Sequence, residues 1–169
     1  TSDGLLLKDE TLEAASQSKI RVAGLDTSIG WTVDTYEAAY VRYFDGYYYL
    51  FLSMGTCCEG SSSTYQVVVG RSQSPTGPYL DDQGRAMTAR NVGKLVIARN
   101  DNFVGTGHNS VIDDVNGEPW FYYHAYHNDN PNRGRVLLME RMLFDDNGWP
   151  YVSGFTPSTT AKIGPYYYL

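Results

Sequence analysis

Glu37 and His108 stand 71 residues apart, each at the head of a strand-rich segment. A carboxyl group and an imidazole are both able to move protons or hold a ligand in water near neutral pH. Their matching places in two similar stretches of chain, more than their residue types, single them out. Asp34 and Asp101 each precede the same segments by a few residues and stand as reserve candidates. Asp45, Asp81, Asp82, Asp113, Asp114, Asp145 and Asp146 lie in or beside glycine turns, where an Asp side chain caps the backbone. His124 and His127 in YHAYH read as hydrogen-bonded imidazoles near a strand end, without the helical spacing of a zinc motif. Arg71 in VVVGRS offers a guanidinium that could hold a ligand hydroxyl, orient Glu37 or form a surface ion pair. Cys57 and Cys58 are adjacent in a Gly/Ser-rich loop, where a vicinal disulfide, two free thiols or a ligand contact all remain open. No GxSxG elbow and no phosphate-binding glycine loop occurs, so serine hydrolase and nucleotide-binding readings fail.

The elements that must position these groups are strands. AAYVRYFDGYYYLFLS over 38–53 reads as a hairpin about Asp45-Gly46, and NSVIDDVNGEPWFYYHAY over 109–126 as another about Asn116-Gly117. Gly46 and Gly117 are 71 residues apart, as are Gly77 of PTGPY and Gly148 of NGWPY. A third β-rich run follows each hairpin, TYQVVVGRS at 64–72 and RVLLMERMLF at 135–144, and then a Gly/Pro turn with a short aromatic strand. About four antiparallel strands recurring at a long period form the pattern of β-propeller blades. The repeat divides the chain into 1–33, a remnant of a preceding blade with its connection, 34–104, a blade headed by Glu37, and 105–169, a last blade with a C-terminal tail. The opening TSDGLLL reads as the outer end of the preceding blade, and 9–18 as the one helix-friendly stretch, a single turn or loop. Because first strands line a propeller's channel, Glu37 and His108 are expected at equivalent positions facing the axis.

Composition narrows the classes. At 169 residues with 42% hydrophobic and 19% charged residues, and with 15 Tyr, the chain has the makings of a sizeable core. A net charge of -6 leaves no basic footprint for nucleic acid. No apolar run has the length of a membrane span, and the start at Thr1 has no targeting character. The Tyr-rich, Lys-poor composition leans toward a secreted protein. Two blades and a remnant do not close a ring, so a second chain or second copy is expected to complete the propeller.

EAAYVRYFDGYYYLFLS, CCEGSSSTYQVVVGRSQSPTGPYLDDQG, GTGHNSVIDDVNGEPWFYYHAYH and DDNGWPYV, taken together, resemble the last two blades of a glycoside hydrolase family 43 arabinanase over roughly residues 34–152. The resemblance implies an all-β, partial five-bladed β-propeller and an enzyme that hydrolyses arabinan or related linkages with inversion. It implies Glu37 as general acid, within a Glu-Ala-Pro motif whose proline is here Ala39, leaving a looser turn. It further implies His108 as ligand of a central calcium completed largely by water, and Arg71 near the sugar subsite. The family's two catalytic Asp residues have no counterpart in this stretch. An inverting glycosidase needs an acid and a separate carboxylate base roughly 6.5–9.5 Å apart, so this chain is expected to be inactive alone. A truncated relative that binds carbohydrate or assembles without hydrolysis is the alternative expectation.

Overall fold

In β-structure, alternate side chains go to opposite faces, so a strand buried on both sides must be apolar throughout. YYYLFLSM meets that condition and forms β4 (Tyr47–Met54), whose residues Tyr48–Ser53 are buried or nearly so. The computed structural model describes residues 7–8, 13–14, 20–24 and 36–167. Within them, β4 joins β3 (Tyr36–Phe44), β5 (Gln66–Ser72) and β6 (Lys94–Ile97) in a four-stranded antiparallel sheet of order β3-β4-β5-β6. A second sheet runs β7 (Phe103–Asp113), β8 (Pro119–His127), β9 (Arg135–Phe144) and β10 (Pro150–Val152), each strand beside its sequence neighbour. These are two propeller blades, and the fold is all-β, as read from the repeat. Ahead of them β1 (Leu7–Lys8) pairs antiparallel with β2 (Glu13–Ala14). The two described residues of the helix-friendly stretch are therefore extended, while most of TSDGLLL and Asp34 fall outside the described residues.

The hairpins differ by one residue. Asp45 (φ 46°) and Gly46 (φ 83°) are both left-handed, as a two-residue type I′ turn demands. In the second blade Asp114 N–H donates to the Glu118 carbonyl at 2.9 Å, and the connection is the three residues Val115, Asn116 and Gly117 (φ 78°). The outer strands differ more. β10 follows NGW directly, but after Gly77 the chain makes only isolated bridges, Leu80 with Arg71 and Ala86, and the outer strand is Lys94–Ile97. The short aromatic strand expected after PTGPY is thus replaced by a strand beyond the 81–93 loop.

Period two assigns the faces. Tyr49, Phe51, Val67 and Val69 point from the first blade toward Val111, Phe121, Tyr123, Met142 and Trp149 of the second, forming one core between the sheets. Phe51 and Phe121 are wholly buried there, ring centroids 6.0 Å apart, and each contributes about 1.5–3 kcal/mol by burial. The opposite face of the first blade, Leu50, Leu52 and Val68, is covered by Tyr79, Met87 and Val92. Across the blades Tyr40 Oη donates to the Val111 carbonyl at 2.7 Å, and Arg42 reaches both carboxylate oxygens of Asp113 at 2.7 Å. The tail is held by buried Glu140, which accepts from the Ser158 N–H at 2.7 Å and Lys162 Nζ at 3.2 Å. Tyr166 and Tyr167 pack on the second blade, Tyr166 through backbone bonds with Val115 and Asp114 and Tyr167 through the Tyr122 hydroxyl.

Three of the turn aspartates do the capping expected of them. Asp81 accepts from the N–H groups of Gln83 and Arg85, Asp114 from those of Asn116 and Glu118, and Asp145 from those of Asn147 and Trp149. Burial works against their charge, but these N–H groups, with Arg85 at Asp81 and Lys94 at Asp145, outweigh it and hold all three below the ordinary 3.8. A depressed folded-state pKa stabilises fully above the unfolded value and is lost as pH falls through the folded one. The contribution of these three carboxylates to the urea midpoint should therefore be fully present at neutral pH and lost as pH drops below about 4. Asp145→Asn should lower the midpoint at pH 6 and shrink its fall below pH 4.

Candidate active site

Glu37 lies near the start of β3, opposite Ser53 of β4, with its side chain exposed. The ladder then breaks, because the next recorded pair is Tyr40 with Phe51, so three steps on β3 face two on β4. This is a β-bulge, with Ala38 left-handed at φ 53°, and it turns the head of the strand. An alanine there costs on the order of 1 kcal/mol. The expected loose turn at Ala39 is instead this bulge within a paired strand.

β7 repeats the device. Gly107 pairs with His124 and Ser110 with Tyr122, again three steps against two, and the left-handed residue is His108 at φ 55°. The bulges correspond at an offset of 70, so His108 matches Ala38, and Glu37 matches Gly107. The expectation that Glu37 and His108 are equivalent is corrected by this register. The extra turn residue in the second hairpin lies between the bulge and Gly117, so the glycine landmarks count 71 while the bulges count 70. Glu37 and His108 nevertheless share one mouth, through Ser53. That serine is wholly buried, sits opposite Glu37, and accepts the His108 N–H at 2.9 Å.

Tyr65, just before β5, is buried beside them. Burial pushes the phenol up to about 12, nearby Ser53 opposes this, and the Glu37 charge adds to it. The Tyr65 ring lies where a side chain on residue 107 would be, a Cβ at Gly107 falling 2.1 Å from Tyr65 Cδ1.

Beside Tyr65 stands His124, ring centroids 5.8 Å apart and planes 18° from parallel, with His108 6.3 Å away. Burial, then the Arg135 and His108 charges, pull the His124 pKa down to about 4. Arg135 Nη1 lies 3.4 Å from His124 Nε2 and 3.9 Å from Cys58 Sγ. Cys57 and Cys58 form a vicinal disulfide, which decides among the three states the sequence allows. Asn109 is buried next to His108, and neither atom of its amide has a hydrogen-bond partner among the described residues.

Arg71 is not brought to Glu37. It pairs with Tyr49 on β4, four residues from Ser53, about 13 Å along the strand. Its guanidinium is stacked between Tyr47 (4.4 Å) and Trp149 (4.2 Å) and donates to the Asn147 carbonyl at 2.8 Å. His127 packs on Phe103, and Asp101 is exposed ahead of β7, its carbonyl bonded by Asn128. For a metal, no group of three or more His, Cys, Asp or Glu ligands occurs among the described residues. His108 alone offers one nitrogen where calcium takes about 6–8 oxygens, so the described part of the chain does not by itself make up a calcium site. Ser53, Tyr65, His124 and Arg135 were not singled out for this mouth from sequence. The one available signal was Tyr65 heading the third β-rich run, after the cysteine loop.

The packing of Tyr65 on His124 makes a measurable demand. His124 should stay neutral down to about pH 4 in an NMR titration, and Arg135→Gln should raise its pKa by removing a neighbouring positive charge. Gly107→Ala should displace the Tyr65 ring, destabilise the fold by about 1–3 kcal/mol and move the His124 titration toward 6.5.

Residues 5–150 match the family described as glycosyl hydrolases family 43. The chain is 42% identical over 116 residues to an extracellular exo-α-(1→5)-L-arabinofuranosidase of Cellvibrio japonicus, covering 69% of this chain and 33% of that protein. Over 114 residues it is 41% identical to an extracellular endo-α-(1→5)-L-arabinanase of Bacillus subtilis, covering 68% and 33%. The structure of a Cellvibrio cellulosa α-L-arabinanase complexed with arabinohexaose superposes with a TM-score of 0.76 at 36% identity, over 86% of this chain and 47% of that one. A family 43 endo-arabinanase of Bacillus licheniformis does so with a TM-score of 0.70 at 34% identity, over 86% and 46%. The chain thus spans about a third of the length of these curated relatives. A match that runs through the first blade and as far as the last strand of the second makes this chain a member of glycosyl hydrolase family 43.

Proposed function

We propose that this chain is the part of an inverting, arabinan-degrading glycosidase that carries the general acid, Glu37. The observation that supports this most is the exposed Glu37 carboxyl group at a mouth where buried Ser53, opposite it, joins the two blades by accepting the His108 N–H, in a chain whose relatives are named for arabinan. Glu37, protonated, gives its proton to the glycosidic oxygen as the bond to the anomeric carbon breaks. Water attacks that carbon from the opposite face, and a carboxylate base takes the water's proton. The bulge at Ala38 and the pairing with Ser53 set the strand head from which the acid is presented. The base belongs to the remainder of the propeller, in the same or another polypeptide, about 6.5–9.5 Å from Glu37. Secretion fits the extracellular names of both relatives and the oxidised cysteines.

Native mass spectrometry and reducing-sugar release from linear arabinan test the proposal on one sample. The chain alone should release nothing, and release should appear once a polypeptide supplying the remaining blades is bound. In that assembly Glu37→Gln should cut arabinan cleavage by about 10²–10⁴-fold. Cleavage of an aryl arabinofuranoside with an acidic leaving group should suffer far less, because that group departs without protonation. Equal activity of Glu37→Gln and the unaltered assembly on arabinan would overturn the assignment.

A further inference from the structure

The vicinal disulfide is unexplained by stability. A disulfide stabilises chiefly by closing a loop of the unfolded chain, and between adjacent residues there is no loop to close. It nevertheless sits on a carefully fixed support. Thr56 and Thr64 pin the loop's base, the Thr56 N–H donating to Thr64 Oγ1 at 3.0 Å and the Thr64 N–H to the Thr56 carbonyl at 3.0 Å. The Glu59 N–H donates to Ser63 Oγ at 2.9 Å, and buried Ser63 packs so closely on Gly105 that a Cβ there would lie 2.8 Å from its own. Gly60 abuts Pro131, where a Cβ would lie 3.2 Å from the ring. The loop is fixed from both blades, and at its rim Cys57 is half-buried and Cys58 exposed.

Next to the sulfurs lies a guanidinium without an ion-pair partner among the described residues. Arg135 is exposed, 3.9 Å from Cys58 Sγ and 3.4 Å from His124 Nε2, a neutral imidazole. His124 stacks on Tyr65 and stands beside His108, whose N–H donates to Ser53 opposite Glu37. An apolar, polarisable and rigid surface beside an exposed guanidinium, whose Nη1 faces His124 and Cys58, suits a small sugar ring, whose C–H face is apolar and whose rim is hydroxyls. Rigidity lowers the ordering cost of binding.

We propose that the Cys57–Cys58 disulfide and Arg135 form a subsite for a pentofuranosyl unit adjoining the one at Glu37, with the sulfurs under the ring and the guanidinium on its hydroxyls. This rests on the arabinan reading above and adds the residues that select the ring.

The probe is linear α-1,5-arabinohexaose, with xylohexaose as control, titrated into the isotopically labelled 169-residue chain. Saturable shifts of the Cys57 and Cys58 Cβ and Arg135 Nε signals with the arabinose oligomer, exceeding those with the xylose oligomer, are expected. Cys57→Ala with Cys58→Ala, and separately Arg135→Met, should each weaken binding by about fivefold, the loss expected for a small patch of buried contact. The titration of the unaltered chain keeps the test decisive if a variant fails to fold. Shifts at Tyr65 and His108 with Cys57, Cys58 and Arg135 unmoved would overturn this subsite alone. No shift anywhere would overturn the arabinan reading and the subsite with it.

Discussion

The packing of one blade face on the other is the constraint from which the site follows. Glu37 belongs to one sheet and His108 to the other, and no ladder of hydrogen bonds connects the sheets. Their relation is set by the layer in which Phe51 meets Phe121, flanked by Val67, Val69, Val111 and Tyr123. Once those faces interlock, β3 and β7 lie close enough for Tyr40 to reach the Val111 carbonyl and for Ser53 to accept from His108. A buried serine in the plane of an aromatic core would carry a desolvation cost unless it were bonded. The bond it accepts from the His108 N–H meets that requirement and joins the two bulges.

The far end of the same interface is closed by the DDNGW turn. Tyr49 Oη donates to the Gly148 carbonyl at 2.6 Å, Arg71 to that of Asn147 at 2.8 Å, and Lys94 Nζ meets Asp145 at 2.8 Å. The first blade therefore grips a turn of the second, and Arg71 is the middle of that grip, with Tyr47 and Trp149 on its two faces. A guanidinium stacked on two rings loses little by leaving water, since its planar faces are weakly hydrated. Arg71 and Glu37 thus serve opposite ends of one interface, one holding it shut and the other presenting a carboxyl group.

Local signals were legible where local physics decides. Asp45-Gly46 made its type I′ turn, the third β-rich run of the second blade became β9 from Arg135 to Phe144, and the aspartates beside glycines capped their turns. What the sequence concealed were effects of counting and of partner choice. One residue added to a turn makes the glycine landmarks count 71 where the bulges count 70, and that leaves His108 out of line with Glu37. The 81–93 loop displaced the outer strand of the first blade because its Met87 and Val92 cover the sheet face of Leu50 and Leu52. Tyr65 lies against His124 because Gly107, which is not one of the glycines that mark the repeat, leaves space for its ring. Pairings of this kind depend on the interface, which periodicity within a strand does not describe.

Among the described residues, Glu37 is flanked by groups of these two blades: Ser53 opposite it, Tyr65 near it, and His108 and Gly107 behind them. A catalytic group is effective when held in place before the substrate arrives, because reorganisation then adds nothing to the barrier. For the proposed acid, the bulge at Ala38 and the pairing with Ser53 fix the backbone that presents it. The two halves of an inverting site need only a fixed separation and a water between them. They can therefore reside on different parts of a propeller, provided the part bearing the acid is rigid. The bulges, the buried serine and the tyrosine packed on Gly107 supply that rigidity to the proposed acid, in a chain that spans a third of its relatives' length.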